Sequence, residues 1–148
     1  MNARLKLNLE IIQGNFAVHE FVSKRIYELC KEEAIFIINP VLLYAVVHLK
    51  KVFPGRKITI NNWYWGGEFD DRGYRDTKSD TGSLLSEHRF GEALDCIVEG
   101  IEAEVVRKYI LDHPEEFPGI TRIERGVPWV HMDTKPHKRK EQIYAFLP

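Results

Sequence analysis

Between Asn39-Pro40 and Pro54-Gly55 runs a segment, Val41 to Phe53, that is apolar almost all the way round, with Leu42, Leu43, Ala45, Val46, Val47, Leu49 and Val52 leaving no broad polar stripe. A helix on a protein surface keeps one polar face; a helix without one has to be wrapped by the rest of its chain. Asn39 offers a capping side chain, Pro40 suits the first helical position, and Pro54-Gly55 stops the helix. The fold must therefore be built around this segment. A length of 148 residues suits one ordinary domain, and no linker or repeat divides 1–148.

The flanking segments supply the wrapping. Asn15 can cap a helix running to about Lys31, with Val18, Val22, Ile26, Leu29 and Cys30 on one face and Phe21 beside them. Lys57 to Asn61 alternates as a strand, and Ala93 to Val98 alternates again with Leu94, Cys96 and Val98 towards the core. Glu99 to His113 reads as a helix with Ile101, Val105, Tyr109 and Ile110 inward, stopped by Pro114. Ile120–Glu124 and Trp129–Asp133 form a hairpin around Arg125-Gly126-Val127-Pro128, and Ile143, Ala145 and Leu147 mark a closing strand. Helices first and strands later predict an α+β domain, an antiparallel sheet with helices packed against it. From Trp63 to Ser83 the periodicity lapses over about 20 residues rich in Gly, Asp and Arg, a length that favours a functional rim or lid. Trp63-Tyr64-Trp65 at its root fits pocket lining and packing equally well.

Composition removes several classes. A formal net charge of −1 argues against a non-specific polyanion binder, so no nucleic-acid partner is expected. The basic run Lys135-Pro136-His137-Lys138-Arg139-Lys140 reads as a solvated turn, and no phosphate-binding loop or serine or cysteine nucleophile motif is present. The two cysteines, Cys30 and Cys96, are too few for a disulfide framework and read as buried free thiols. No apolar run reaches the ~18 residues of a membrane span, and no export signal can be read at the N-terminus, so no membrane partner is expected and the chain is cytoplasmic as synthesised.

Three polar residues break their local patterns. Asp95 interrupts an apolar strand, His131 interrupts Trp129-Val130-His131-Met132-Asp133, and His88 sits in Ser86-Glu87-His88-Arg89-Phe90-Gly91 just before a strand. If Leu94 and Cys96 point into the core, Asp95 points away; if Val130 and Met132 point in, Trp129, His131 and Asp133 point away. Two strands can thus present Asp95 and His131 on one face, with His88 brought alongside through Gly91. Two imidazoles and a carboxylate make a sound ligand set for a catalytic Zn²⁺, which keeps one position for water. A buried His–Asp pair with an unrelated second histidine is the plainer alternative.

Ser86-x-His88-x-x-Gly91-x-Ala93-x-Asp95, followed about 35 residues later by Trp129-x-His131-x-Asp133, closely resembles the zinc peptidases of the M15 class. That class includes D-Ala-D-Ala carboxypeptidases and phage L-alanyl-D-glutamate endolysins, and it shares its fold with the hedgehog signalling domain. The resemblance implies Zn²⁺ bound by His88, Asp95 and His131, with Ser86 supporting a ligand or the turn, and Gly91 and Ala93 kept small by the close approach of backbone to metal site. It implies a peptidoglycan or muropeptide substrate, with release on phage lysis as one route to the wall. Many members place a glutamate three residues before the last histidine ligand, where this chain has Pro128, and the hedgehog arrangement places one six residues before, where it has Arg125. Asp133, in a His-x-Asp ending that some branches carry, is then the first candidate for the general base. Glu124, expected to pair near Trp129, is the second. Gly73-Tyr74-Arg75, with Arg72 adjacent, resembles the segment that supplies an arginine to the substrate, which makes Arg75 the candidate for the oxyanion or a substrate carboxylate. Two rival readings stand beside the peptidase: a zinc-binding domain of the same fold that has lost its base, and a structural phage or virion interaction module.

Overall fold

The computed structural model describes residues 1–148. The apolar segment is a helix, Pro40–Val52, whose cap Asn39 accepts from the Val41 amide at 3.0 Å. Leu42, Leu43, Ala45, Val46 and Leu49 are all buried in it. Two shorter helices precede it, which makes it α3. Helix α1 spans Ala3–Ile12 and α2 spans Lys24–Cys30. Then follow β1 (Ile58–Thr59), β2 (Ala93–Val98), α4 (Ala103–Asp112), β3 (Arg122–Glu124), β4 (Val130–Asp133) and β5 (Tyr144–Phe146). The α+β class holds.

Helix α1 carries too weak an apolar pattern to stand out in the sequence, and tertiary contacts fix it instead. Asn2 caps it at Arg4 and Leu5, and the buried Asn8 amide donates to the Ile35 and Ile38 carbonyls at 2.8 Å each. The helix expected from Asn15 starts only after Ser23, whose hydroxyl accepts from the Ile26 amide. Val18, Phe21 and Val22 reach the core from the turn ahead of it, whereas Leu29 and Cys30 are exposed. Only Cys96 is a buried thiol, and burial pushes its pKa up to about 12. In α4 the inward face turns about one residue from expectation: Val106, Arg107 and Ile110 are buried and Val105 is exposed.

The strands form one sheet in the order β1-β2-β4-β3-β5. It is mixed, not wholly antiparallel as the sequence suggests, because β5 runs parallel to β3. The chain leaving β4 returns at the same end of the sheet but skips the neighbouring β3. A strand that reverses against β4, with β3 itself antiparallel to β4, lies parallel to β3. One face of the sheet, carrying Leu94, Cys96, Val98, Ile123, Val130 and Met132, joins α3 and α4 in a single apolar cluster. The opposite face is left for polar residues, as alternation requires.

The turn before β2 is seated on the start of α3. The Asn39 amide donates to the Gly91 carbonyl at 2.9 Å, and Gly91 has φ +70°. A Cβ there would stand 2.1 Å from the Ile37 carbonyl oxygen. The small residue is thus demanded by backbone against backbone, not by the polar cluster on the far face. Gly91→Ala is expected to lower the unfolding free energy measured in urea by more than the ~1–3 kcal/mol cost of a left-handed non-glycine residue. Gly14→Ala, with φ +75° and nothing within 4 Å, pays only that conformational cost. Equal losses in the two variants would contradict the close approach at Gly91.

Candidate metal centre

The β2–β4 register sets Asp95 directly opposite His131 and Ala93 opposite Asp133, all facing away from the apolar cluster. His88, in the short 3-10 turn Glu87–Phe90, enters the same face. The three residues offer ligand atoms that all lie within 4.8 Å of one another, and all three are buried. This group could hold a metal ion.

Each ring is oriented by its other nitrogen. His88 Nδ1 lies 2.9 Å from the Gly73 carbonyl oxygen, which can only accept, so Nδ1 carries the proton and Nε2 presents its lone pair. That Nε2 is buried, has no hydrogen-bond partner, and approaches Asp95 Oδ1 to 3.2 Å without hydrogen-bond alignment. A buried imidazole nitrogen facing a carboxylate without an aligned hydrogen bond is a position that a cation, or a proton shared with that carboxylate, satisfies. His131 is held from both sides, with Nδ1 2.8 Å from Asp95 Oδ1 and Nε2 2.9 Å from Asp133 Oδ2. Nδ1 is therefore the nitrogen facing the cluster, and the Nε2–H to Asp133 contact fixes the ring. A carboxylate behind a ligating histidine is the usual support of a metal site.

Asp133 is itself fully buried, and Arg122 clamps it through Nε at 2.9 Å and Nη2 at 2.7 Å, with the Lys135 amide adding a third donor. Burial alone would raise its carboxyl pKa, but the hydrogen bonds from His131 and Arg122 hold it below the ordinary value. The sequence ranks Asp133 first as a general base; in the structure it is committed to donors on every side and orients His131. Glu124 is placed differently from expectation, since the β3–β4 register carries it opposite His131 rather than beside Trp129. Its Oε2 lies 4.0 Å from His131 Nδ1 on a side chain 16% exposed. Of the two candidate carboxylates, Glu124 is the less buried.

Arg75 reaches the cluster but spends its donors on the protein. Nη2 lies 3.4 Å from Asp95 Oδ2, Nη1 3.4 Å from Ser86 Oγ, and Nε 2.9 Å from the Asp71 carbonyl. Ser86 thus supports the site through Arg75. For Asp95, burial pushes the carboxyl up, yet the imidazoles of His131 and His88 beside it win and hold it far below the carboxylate range. For His131, burial alone would lower the pKa, but Asp133 and Asp95 together push it up to about 9.

Two supports carried no sequence signal. Arg107 on α4 donates to the Val127 and Trp129 carbonyls at 2.9 and 2.8 Å, which anchors the turn leading into β4. Arg89 donates to the Ser83, Asp76 and Ser79 carbonyls at 3.0 Å each and ties the long loop over the His88 turn. The aromatic run at the root of that loop packs around His19, with Tyr64 stacked on it at 3.9 Å. No single helix is long and apolar enough to cross a membrane. Comparison with protein families, with curated proteins and with solved structures finds no match to this chain.

Because His131 in the metal-free protein is protonated below about pH 9, an incoming divalent ion has to displace that proton. Affinity should then rise about tenfold per pH unit through neutrality and level off above about pH 9, with close to one proton released per ion in calorimetry across buffers of different ionisation enthalpy. Asp133→Asn should weaken binding by ~10–100-fold and His88→Ala should abolish it. Affinity independent of pH, or full affinity in His88→Ala, would contradict this site.

Proposed function

We propose that the chain is a zinc peptidase of the M15 type, hydrolysing amide bonds in peptidoglycan stem peptides. The observation that carries the reading is the buried, unpartnered Nε2 of His88, aimed at Asp95 beside His131. The sequence spacing that produces this trio is the one the M15 resemblance rests on. Zn²⁺ suits two imidazoles and one carboxylate; His88, Asp95 and His131 would hold it, and it would supply a Lewis acid that polarises a carbonyl and acidifies water.

The chain's own groups divide the remaining work. Glu124 accepts a proton at its carboxylate and returns it to the leaving amine, from a partly buried position 4.0 Å from His131 Nδ1. Asp133 holds His131 through Nε2 and is held in turn by Arg122. Arg75 compensates Asp95 Oδ2 and leaves Oδ1 towards the two rings. The long loop meets the trio through the Gly73 carbonyl on His88 and the Arg75 guanidinium on Asp95.

A second reading, a zinc-binding domain without catalysis, is favoured by Pro128 at the position where many M15 members carry glutamate and by the commitment of Asp133 to Arg122. A muropeptide digest separates the two. The peptidase reading expects new amine termini by mass spectrometry, lost with chelator and restored by zinc. It also expects a ~10²–10⁴-fold lower kcat in Glu124→Gln with zinc content unchanged. Stoichiometric zinc with no cleavage of any stem peptide would favour the second reading, and an unaffected Glu124→Gln would remove Glu124 from the chemistry.

A further inference from the structure

The run Trp63-Tyr64-Trp65, which the sequence leaves undecided between pocket lining and packing, is no part of the apolar core. Tyr64 and Trp65 are 55% and 56% exposed, a display of aromatic surface that marks a contact site. The rings are nonetheless held still. One face of Tyr64 lies on the buried His19 ring at 3.9 Å, and Trp63 and Trp65 stand nearly perpendicular to Tyr64, at 74° and 85°. The Trp63 indole N–H donates to the Val22 carbonyl at 2.8 Å, and Asn62 Oδ1 accepts from the Phe69 amide at 2.8 Å to close the turn. Trp63 and Tyr64 line a cavity of about 370 Å³ together with Lys24, Tyr27, Glu28 and Lys31. Lys31 is the one non-glycine residue with a left-handed φ, +49°, a strained conformation that carries its ammonium 5.6 Å over the Tyr27 ring.

We propose that this aromatic pocket docks a sugar chain, the β-linked N-acetylated glucosamine backbone from which peptidoglycan stem peptides hang. A pyranose with equatorial substituents turns its C–H groups to its faces and its polar groups to its rim, so it fits a flat apolar surface edged by both donors and acceptors. The open face of Tyr64, flanked by Trp63 and Trp65, is that surface. The edge is mixed in sign: Lys24 and Lys31 donate, Glu28 accepts, and so does Glu32, which holds the Tyr27 hydroxyl at 3.0 Å. A sugar hydroxyl both donates and accepts, and meets either kind of group. Two ammonium groups matched by two carboxylates make no basic track, which a phosphate backbone needs. Lys31 over Tyr27, and Lys57 at 5.3 Å over Trp65, already take ring faces that would attract a quaternary ammonium ligand. The loop that carries the pocket returns to β2 at Arg72, whose carbonyl accepts from the Asp95 amide at 2.8 Å, so a docked chain is held by a segment bonded to the metal-centre strand. Identifying the sugar chain as the one that bears stem peptides rests on the peptidase reading; sugar binding itself does not.

Titration of the metal-free, ¹⁵N-labelled full chain with a β-linked N-acetylglucosamine tetramer tests the pocket without reference to turnover. The Trp65 indole N–H resonance, assigned through Trp65→Phe, should shift saturably with the tetramer and not with an oligothymidylate of the same length. Tyr64→Ala and Trp65→Ala should each weaken the tetramer by about tenfold or more, and both truncate exposed side chains outside the core. Lys31→Gly removes the ammonium and relieves the left-handed φ, so it should unfold no earlier than the parent and yet bind about threefold or more weakly. A purely structural role for Lys31 would not separate the two readouts. No response to the tetramer, an equal or larger response to oligothymidylate, or parent-like binding in all three variants overturns the pocket. Tetramer binding that depends on Tyr64 and Trp65, in a protein with no chelator-sensitive hydrolysis, would uphold the pocket and sink the peptidase reading. Chelator-sensitive cleavage of stem peptides by a protein that binds no tetramer would do the reverse.

Discussion

The antiparallel register of β2 against β4 places the Asp95 carboxylate across from the His131 ring, with the two 2.8 Å apart and both out of solvent. Nearly everything else on that face of the sheet answers to this pair. A buried charge is costly unless it is paired and hydrogen-bonded, and the chain meets the requirement outward in both directions. Asp95 is flanked by Arg75 on one oxygen and by the two imidazoles on the other. His131 leans on Asp133, Asp133 on Arg122, and Arg122 stacks on Phe146 at 4.3 Å. The series ends where side chains come nearer to water. Within the trio of His88, Asp95 and His131, His88 Nε2 is the atom without a hydrogen bond, and it lies 3.2 Å from Asp95 Oδ1.

Such a polar face contributes little to stability, since the desolvation of its ions offsets much of their attraction. The fold is held from the other side, by the cluster that joins α3 and α4 to the inward rows of β2, β3 and β4. This division allows the polar network to be arranged for ligand geometry. Rigid strands carry Asp95, His131 and Glu124, and the His88 turn is locked to the start of α3 through Gly91. The long loop is tied by backbone bonds, the Tyr74 amide to the Phe21 carbonyl at 2.8 Å and the Arg75 amide to the His88 carbonyl at 3.1 Å, together with the side chains of Arg89 and Arg75.

Alternation along β2 and β4 made the shared face of Asp95 and His131 readable, because a period of two assigns every residue to a side once the apolar ones are placed. The apolar helix α3 and its Asn39 cap were legible for the same reason, a pattern with one physical solution. Helix α1 was not, since its place depends on the Asn8 amide meeting the Ile35 and Ile38 carbonyls across the fold. Nor was the parallel pairing of β5, which follows from where the chain crosses and not from its composition. The candidate base shows the limit most plainly. Asp133 and Glu124 both face the site from the strand pattern, and only the position of Arg122, two residues from Glu124 on β3, tells which carboxylate is already spent.

The chemistry of this face depends on a cation seated between two imidazole nitrogens and one carboxylate oxygen. X-ray absorption at the zinc edge, on protein loaded with one equivalent of zinc, measures that directly. The predicted spectrum has nitrogen and oxygen neighbours at ~2.0–2.1 Å, with the outer-shell scattering of two imidazole rings and no sulfur contribution. A spectrum with sulfur at ~2.3 Å, with one ring or none, or of a hydrated ion alone would contradict it.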